Sequence, residues 1–274
     1  MKKFGIVINE TKDPDMSVTR RICSYLEERG ASCVKVKDAR ELREDVECML
    51  VLGGDGTMLQ AAGGVAGRNI PMIGLNLGTL GYLAEMEMNR LEEDLGQLIC
   101  DKYEFDERMM LQGRIVGNNS VRELPPALND ISITRCGPLQ IISLKISVNG
   151  QFLCRWNADG IIISTPTGST GYNMSAGGPI VEPGANLIVL TPICAHTLKA
   201  RSIILKAESC VEIEIDSGHN GSKLQVEANS DGNERIAVET GDKIFISQAK
   251  NTTKIIKLSK VSFLETLNKK MGDL

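Results

Sequence analysis

Two stretches of this chain carry the residue types that could handle a phosphorylated ligand. In the first, Gly53-Gly54-Asp55-Gly56-Thr57 follows the apolar run Met49 to Leu52 and leads into a helix-forming run, Thr57 to Ala66. Glycines let a ligand approach the backbone closely, and the start of a helix presents unpaired N–H groups to phosphate. A carboxylate beside phosphates is repelled unless a divalent cation offsets it or it takes up a proton, so Asp55 is a candidate general base. The other reading is a tight strand-to-helix turn with Asp55 as its N-terminal cap. No Gly-Lys pair of a Walker loop and no GxGxxG fingerprint occurs in the chain.

The second stretch runs from Asn157 to Pro183 and is denser. Asp159 and Gly160 precede a strand, Ile161 to Ile163. Then come Ser164, Thr165, Pro166, Thr167, Gly168, Ser169, Thr170, Gly171, Tyr172, Asn173, Met174, Ser175, Ala176, Gly177 and Gly178. Hydroxyls and glycines after a buried strand make a loop rich in donors and backbone amides, suited to a polar or anionic ligand. An irregular loop of a β domain is the plainer alternative. A serine nucleophile is disfavoured, because Ser169 lacks the GxSxG frame and only His196 and His219 stand as candidate bases.

The charge balance limits the partners. Lys and Arg total 31 against 35 Asp and Glu, a net charge of -4, which argues against a broad grip on nucleic acid. Lys2 and Lys3 precede an apolar stretch, Phe4 to Ile8, that is shorter than a signal-peptide core, and no apolar run reaches the length of a membrane span. The expected location is cytoplasmic. Eight cysteines lie scattered without a CxxC pair, which fits neither a zinc site nor a disulfide framework, so they are expected to be reduced and mostly buried.

The elements that must hold the two stretches follow from periodicity. Phe4 to Ile8, Cys33 to Val36, Met49 to Leu52 and Ile70 to Leu75 read as strands. Helices alternate with them, at Val18, Ile22, Tyr25 and Leu26, over Ala39 to Asp45, over Thr57 to Ala66, and at Leu91, Leu95, Leu98 and Ile99 with Asn89 as N-cap. Such alternation means a parallel sheet wrapped by helices, whose ligands sit at the carboxyl ends of the strands, after Leu52 and Leu75. Beyond about residue 105 the period becomes 2, at Leu144, Ile146 and Val148, at Val211, Ile213 and Ile215, at Leu224, Val226 and Ala228, at Ile244 and Ile246, and at Ile255 and Leu258. Asn149-Gly150 forms a hairpin turn. Ser262 should cap a last helix whose face, Phe263, Leu264, Leu267 and Met271, packs back on the first domain. The fold class is therefore an α/β N-terminal domain with a parallel sheet plus a mostly antiparallel β C-terminal domain. The expected domains are 1–104, joined by the helix 260–274, and 105–259.

Four sets of residues resemble the NAD kinases: GGDGT at 53–57, Asn129-Asp130, DGIIISTPTGSTGYNMSAGGPIV at 159–181, and His196 to Arg201. They occur in order over nearly the whole chain. GGDG is shared with diacylglycerol and sphingosine kinases and phosphofructokinases, whereas the long stretch is specific. The resemblance implies a two-domain enzyme that moves the γ-phosphoryl group of ATP to the 2′-hydroxyl of the adenosine ribose of NAD, giving NADP. It implies Asp55 as the base, with Gly53, Gly54, Gly56 and Thr57 on nucleotide phosphates and Mg²⁺ or another divalent cation neutralising charge, without direct protein ligands assigned to it. NAD contacts are implied for Asp55, Gly56, Asn129, Asp130, Asn157, Asp159, Thr170, Gly171, Tyr172, Asn173, Met174 and Ser175. Gln140, Arg201 and Asn233 are further candidates. Arg201 could hold a phosphate or a surface carboxylate, and Asn233 stands where the family often has glutamine. Family members are homodimers or homotetramers in which a neighbour contributes to the site. A lipid kinase would need an apolar membrane-facing surface, and this chain, with 4% aromatics, offers no basic amphipathic helix. A dinucleotide sensor without chemistry would keep the NAD contacts and need not keep Asp55.

Overall fold

The computed structural model describes all residues except 44, 79–80, 118–119, 138–140, 198, 217–224 and 273–274. The chain divides into two compact units, Met1–Arg108 with Asn251–Leu274, and Met109–Lys250.

The first unit is built on a seven-stranded sheet. Its order is Ser32–Val36, Lys3–Val7, Cys48–Leu52, Met72–Asn76, Thr253–Lys257, Glu104–Arg108, with Ala84–Glu87 also paired to Met72–Asn76. The first four strands and Ala84–Glu87 run parallel, and Glu104–Arg108 is antiparallel to Thr253–Lys257. Cys48–Leu52 is buried along its whole length, as an apolar run between parallel neighbours must be. Helix Ser17–Glu27 buries Ile22, Cys23 and Leu26, and helix Leu91–Ile99 buries Leu91, Leu95 and Leu98, in the same core cluster as Phe4, Leu50 and Ile73.

Several boundaries differ from the sequence reading. The period-2 residues near Ile255 belong to this first sheet, because Thr253–Lys257 lies parallel to Met72–Asn76 through Ile255 and Met72. Glu104–Arg108 also lies here rather than in the second unit. Alternation does not reveal which sheet a strand joins. Among the described residues of 39–45 the helical part is a 3-10 turn, Ala39–Glu41, and Asn89 lies inside another, Met88–Arg90, so that Arg90 precedes the helix with no side-chain cap. Ser262 does cap helix Phe263–Met271, in a capping box with Glu265. The apolar face of that helix is not buried: Leu264 is 69% and Met271 51% exposed. The C-terminal segment is held by polar means instead. Glu85 accepts hydrogen bonds from the Leu258 and Ser259 amides, and the Lys270 ammonium lies 3.8 Å from the Tyr82 ring centroid.

The second unit is two six-stranded antiparallel sheets. One runs Gln151–Ala158, Ile142–Val148, Val211–Ile215, Lys243–Gln248, Leu111–Val116, Val121–Glu123. The other runs Ile203–Lys206, Leu187–Ile193, Gly160–Ser164, Asp130–Arg135, Val226–Ser230, Arg235–Val238. Asn149 and Gly150 turn the first hairpin with φ of 51° and 77°, the left-handed pair that such a two-residue turn requires. Alternation along the strands places Leu144, Ile146, Ile213 and Ile244 from one sheet with Ile131, Ile133, Ile161 and Ile163 from the other in one core. Leu224 and His219 lie outside the described residues.

All eight cysteines are free, but only Cys23 and Cys48 are buried, while Cys100 and Cys194 are exposed. The expectation of mostly buried thiols fails because six of them sit on element edges and turns.

Candidate active site

In the first unit the carboxyl ends of three parallel strands carry the glycine turn and two neighbouring loops. Gly53 has φ of 152°, and a Cβ there would lie 2.9 Å from Thr57 Cβ and closer still to Thr57 Oγ1, so the position must be glycine. At Gly54 and Gly56 a Cβ would meet nothing within 4 Å. The protein's own packing does not demand glycine at either place, which leaves room for a ligand at the backbone. Helix Asp55–Gly64 begins here; the Thr57 and Met58 amides donate to the Gly54 carbonyl at 3.0 and 3.1 Å, while the Asp55 and Gly56 amides, at the very start, have no intrahelical acceptor. Its N-cap is Gly54, so Asp55 is the first helical residue and not the cap.

The Asp55 carboxylate is held by a third loop. Oδ2 accepts the Tyr82 amide at 2.8 Å and Oδ1 the Leu83 amide at 3.0 Å. Gly81 lets that loop come close, since a Cβ at Gly81 would lie 2.7 Å from Asp55 Cγ and 3.0 Å from Oδ2. Each carboxylate oxygen keeps a second lone pair for a ligand hydroxyl. Thr57 Oγ1 accepts from Asn9 Nδ2 at 3.3 Å, and Asn9 Oδ1 in turn accepts the Thr11 and Lys12 amides. Asn9, Lys12 and the amides of Tyr82 and Leu83 were not found from sequence. Backbone donors have no sequence signature, and only the expectation of a ligand beyond Leu75 pointed toward them.

In the second unit, alternation along Asp130–Arg135 sends Ile131 and Ile133 into the core and Asp130, Ser132 and Thr134 to the opposite face. Register places Ser164 opposite Asp130, Ile162 opposite Ser132 and Thr191, and Asn229 opposite Ser132. That face therefore carries Asp130, Ser132, Ser164, Thr191 and Asn229, all buried. Buried polar groups without partners are costly, so a face of this kind calls for an explanation. The 165–181 loop lies over part of it: Thr191 Oγ1 donates to Asn173 Oδ1 at 2.6 Å, and Asn173 Nδ2 donates to the Ser169 and Pro179 carbonyls. With three such bonds and no exposure, the Asn173 side chain, expected at a ligand, braces the loop internally. Tyr172 and Met174, by contrast, are 45% and 42% exposed on the loop, beside the exposed Ser175. Thr170 and Gly171 are half-buried next to them, and a Cβ at Gly171 would lie 3.2 Å from Asn129 Nδ2.

Asn129 and Asp130 stand together at the start of their strand. Asn129 Oδ1 is buried without a hydrogen-bond partner among the described residues, and no protein group bonds the Asp130 carboxylate there. Burial, and then the charge of Asp231, pushes the Asp130 carboxyl up to about 7. Asp159 lies in a different environment. Arg135 Nε reaches its Oδ1 at 2.7 Å and holds it below the usual carboxylate range. Asn157 is exposed, and its carbonyl accepts the amide of the exposed His196 at 2.8 Å. Arg201 bonds the adjacent Ala200 carbonyl at 2.7 Å, and Asn233 is an exposed hairpin residue. Gln140 lies outside the described residues. Arg135 and Asp231 went unnoticed in the sequence, because what gives them meaning is a partner 24 and about 100 residues away.

A placed carboxylate in a glycine turn at the start of a helix, on an open α/β sheet, marks a phosphotransferase. Residues 35–103 match the family of the ATP-NAD kinase N-terminal domain and residues 128–258 that of the ATP-NAD kinase C-terminal domain. An NAD kinase of Agathobacter rectalis is 44% identical over 284 residues, covering 100% of this chain and 99% of that protein. One of Lachnospira eligens is 43% identical, covering 99% of this chain and 100% of the other. The fold is similar to that of yeast NADH kinase crystallised with NADH, at a TM-score of 0.88 and 24% identity over 99% of this chain and 88% of the other. The chain belongs to the NAD kinase family.

Proposed function

We propose that this protein transfers the γ-phosphoryl group of ATP to the 2′-hydroxyl of the adenosine ribose of NAD, producing NADP. The observation that carries the reading is Asp55, a carboxylate fixed by two amides at a helix start whose neighbouring glycines leave open space. In this reading Asp55 accepts the 2′-hydroxyl proton as the oxygen attacks the γ-phosphorus and the bond from that phosphorus to the β–γ bridging oxygen breaks, releasing ADP. Gly53 shapes the turn, its own amide donating to the Leu75 carbonyl at 3.0 Å, and the amides at Gly54 and Gly56, with Thr57, hold the ATP phosphates. Asn129 and Asp130 hold the NAD nucleotide, and Thr170, Gly171, Tyr172, Met174, Ser175, Asn157 and Asp159 bound the rest of it. A divalent cation such as Mg²⁺ would reach the site on the ATP phosphates, which the glycine turn would hold. Bound there, it would offset charge on the transferred group. The direct assay is the purified protein with Mg²⁺, ATP and NAD, with NADP counted by a coupled dehydrogenase. No NADP above background overturns the reading.

Asp130→Ala separates recognition from chemistry. Charge-assisted hydrogen bonds to ribose are worth roughly 1.5 to 3 kcal/mol, so the KM for NAD should rise some ten- to hundredfold while the KM for ATP moves little. A normal KM for NAD with a lower melting temperature would reduce Asp130 to a structural residue. Affinity should also depend on pH. Because burial raises the Asp130 carboxyl to about 7, NAD, which needs it ionised as an acceptor, should bind more tightly at pH 8 than at pH 6. Calorimetric titration at both values checks this, and equal affinity contradicts it.

The same reading includes a homodimer or homotetramer. It is supported by Tyr172 and Met174 exposed on the loop, and by Phe152 and Leu153, 64% and 40% exposed on the edge strand Gln151–Ala158 that also bears Asn157. Light scattering at assay concentration should report an oligomer, and a fully active monomer would defeat that part. A cytoplasmic location belongs to the reading too; no helix among the described residues is long and apolar enough to cross a membrane.

A further inference from the structure

Asp231 and Gly232 turn the chain from Val226–Ser230 into Arg235–Val238, with φ of 53° and 72°, and the Asn233 amide closes the turn on the Ser230 carbonyl at 3.0 Å. Such a turn accepts Asn, Asp or Gly in its first place. Turning therefore does not require a carboxylate, yet this one is fully engaged. Asp231 Oδ2 accepts the Leu128 amide at 2.7 Å, and Oδ1 accepts the Asn129 and Asp130 amides at 2.8 and 3.0 Å. The Asp231 amide returns a bond to the Asp130 carbonyl at 3.0 Å. From the other side Thr165 Oγ1 donates to the Leu128 carbonyl at 2.6 Å, and the Thr165 amide to the Asn129 carbonyl at 2.8 Å.

Every backbone donor and acceptor of residues 128–130 thus has a protein partner, while among the described residues neither Asn129 Oδ1 nor the Asp130 carboxylate has one. We propose that Asp231 is a positioning residue for dinucleotide binding, its carboxylate holding three successive amides so that the Asn129 and Asp130 side chains are aimed at the ligand. This rests on the reading of Asn129 and Asp130 as the pair that holds NAD. Holding the backbone in advance lets the pair bind without an ordering cost. Asp231 also acts through charge. Its carboxylate is one of the two causes that raise the Asp130 carboxyl, the other being burial; Tyr172 is the other titratable side chain whose ionisation is coupled to Asp130. Removing the Asp231 charge should let Asp130 ionise at lower pH.

The test compares Asp231→Asn, Asp231→Gly and Asp130→Ala in the full chain, with Mg²⁺, ATP and NAD. Glycine keeps the left-handed turn and deletes the grip, while asparagine keeps one acceptor oxygen. The KM for NAD should rise roughly threefold in Asp231→Asn and tenfold or more in Asp231→Gly, with the KM for ATP within about twofold. In both variants the pH midpoint of NAD binding should move toward acid by the same amount, because both lose the charge. A residue that merely makes the turn would lower the melting temperature and leave the NAD KM and the pH midpoint as they are, and that result overturns the proposal. If Asp130→Ala raises the KM for NAD and neither Asp231 variant does, the proposal alone fails. If Asp130→Ala itself has no effect, the assignment of the pair fails and the proposal falls with it.

Discussion

Asp55→Asn should lower kcat by on the order of 10²-fold or more while leaving the KM for NAD within about twofold, because it removes a base and keeps the shape of the side chain. The structure sharpens this expectation. Both carboxylate oxygens accept amides, so asparagine must turn its NH₂ toward either Tyr82 or Leu83 and lose one hydrogen bond, at about 1 kcal/mol of stability. A melting temperature a few degrees lower is therefore part of the expected result. The alternative is that Asp55 serves only to tie the 81–83 backbone to its helix, and it predicts the same loss of stability with nearly normal kcat. Gly81→Ala separates the two from the other direction. It retains the carboxylate but places a methyl 2.7 Å from its carbon, and a short side chain pinned by two amides must move as a whole. If position matters for the chemistry, kcat falls sharply in Gly81→Ala although the ionisable group is still there. Wild-type kcat in both variants would remove Asp55 from the reaction.

What the sequence made legible here was local. A strand, a glycine cluster and a helix in succession locate the glycine turn, Asn149-Gly150 locates a hairpin, and Ser262 locates the cap of the last helix, since each is complete within a few residues. What stayed hidden depends on the tertiary fold. Thr253–Lys257 alternates like any strand of the second unit, and only its pairing with Met72 assigns it to the first. Asn173 resembles its neighbours in the hydroxyl-rich loop, but a short helical turn, Tyr172–Ser175, points it inward while Tyr172 and Met174 stay out. Asp231 reads as a turn residue and nothing more, until the strand Asp130–Arg135 lies beside it and supplies three amides. The candidate site residues were thus proposed from their types, and those that hold them in place were not, because an amide or a distant carboxylate acquires its role only from the partner it meets.

Gly168→Ala should be the most damaging single methyl in the second unit. A Cβ at Gly168 would lie 2.5 Å from the Asn129 carbonyl carbon and 2.7 Å from its Cα, closer still to its oxygen. No side-chain rotation relieves that contact, because the atoms it meets are backbone. Neither side can yield freely. The Gly168 amide donates to Thr165 Oγ1 at 3.1 Å and its carbonyl accepts the Gly171 amide at 2.9 Å, while Asn129 is held by Asp231 and Thr165. Overpacking of this kind costs about 3 kcal/mol, which for a unit of this size lowers the melting temperature by roughly 5–10 °C. The segment that must shift is the one that carries Asn129 and Asp130, so the KM for NAD should rise at least about tenfold, whereas the glycine turn around Gly53 lies in the other unit and the KM for ATP should stay near its wild-type value. Kinetics and a melting curve on this one variant distinguish the cases: a lower melting temperature with an unchanged KM for NAD would take the Asn129 segment out of dinucleotide binding, and a wild-type result in both would mean that the close approach of the loop to Asn129 does not exist in solution.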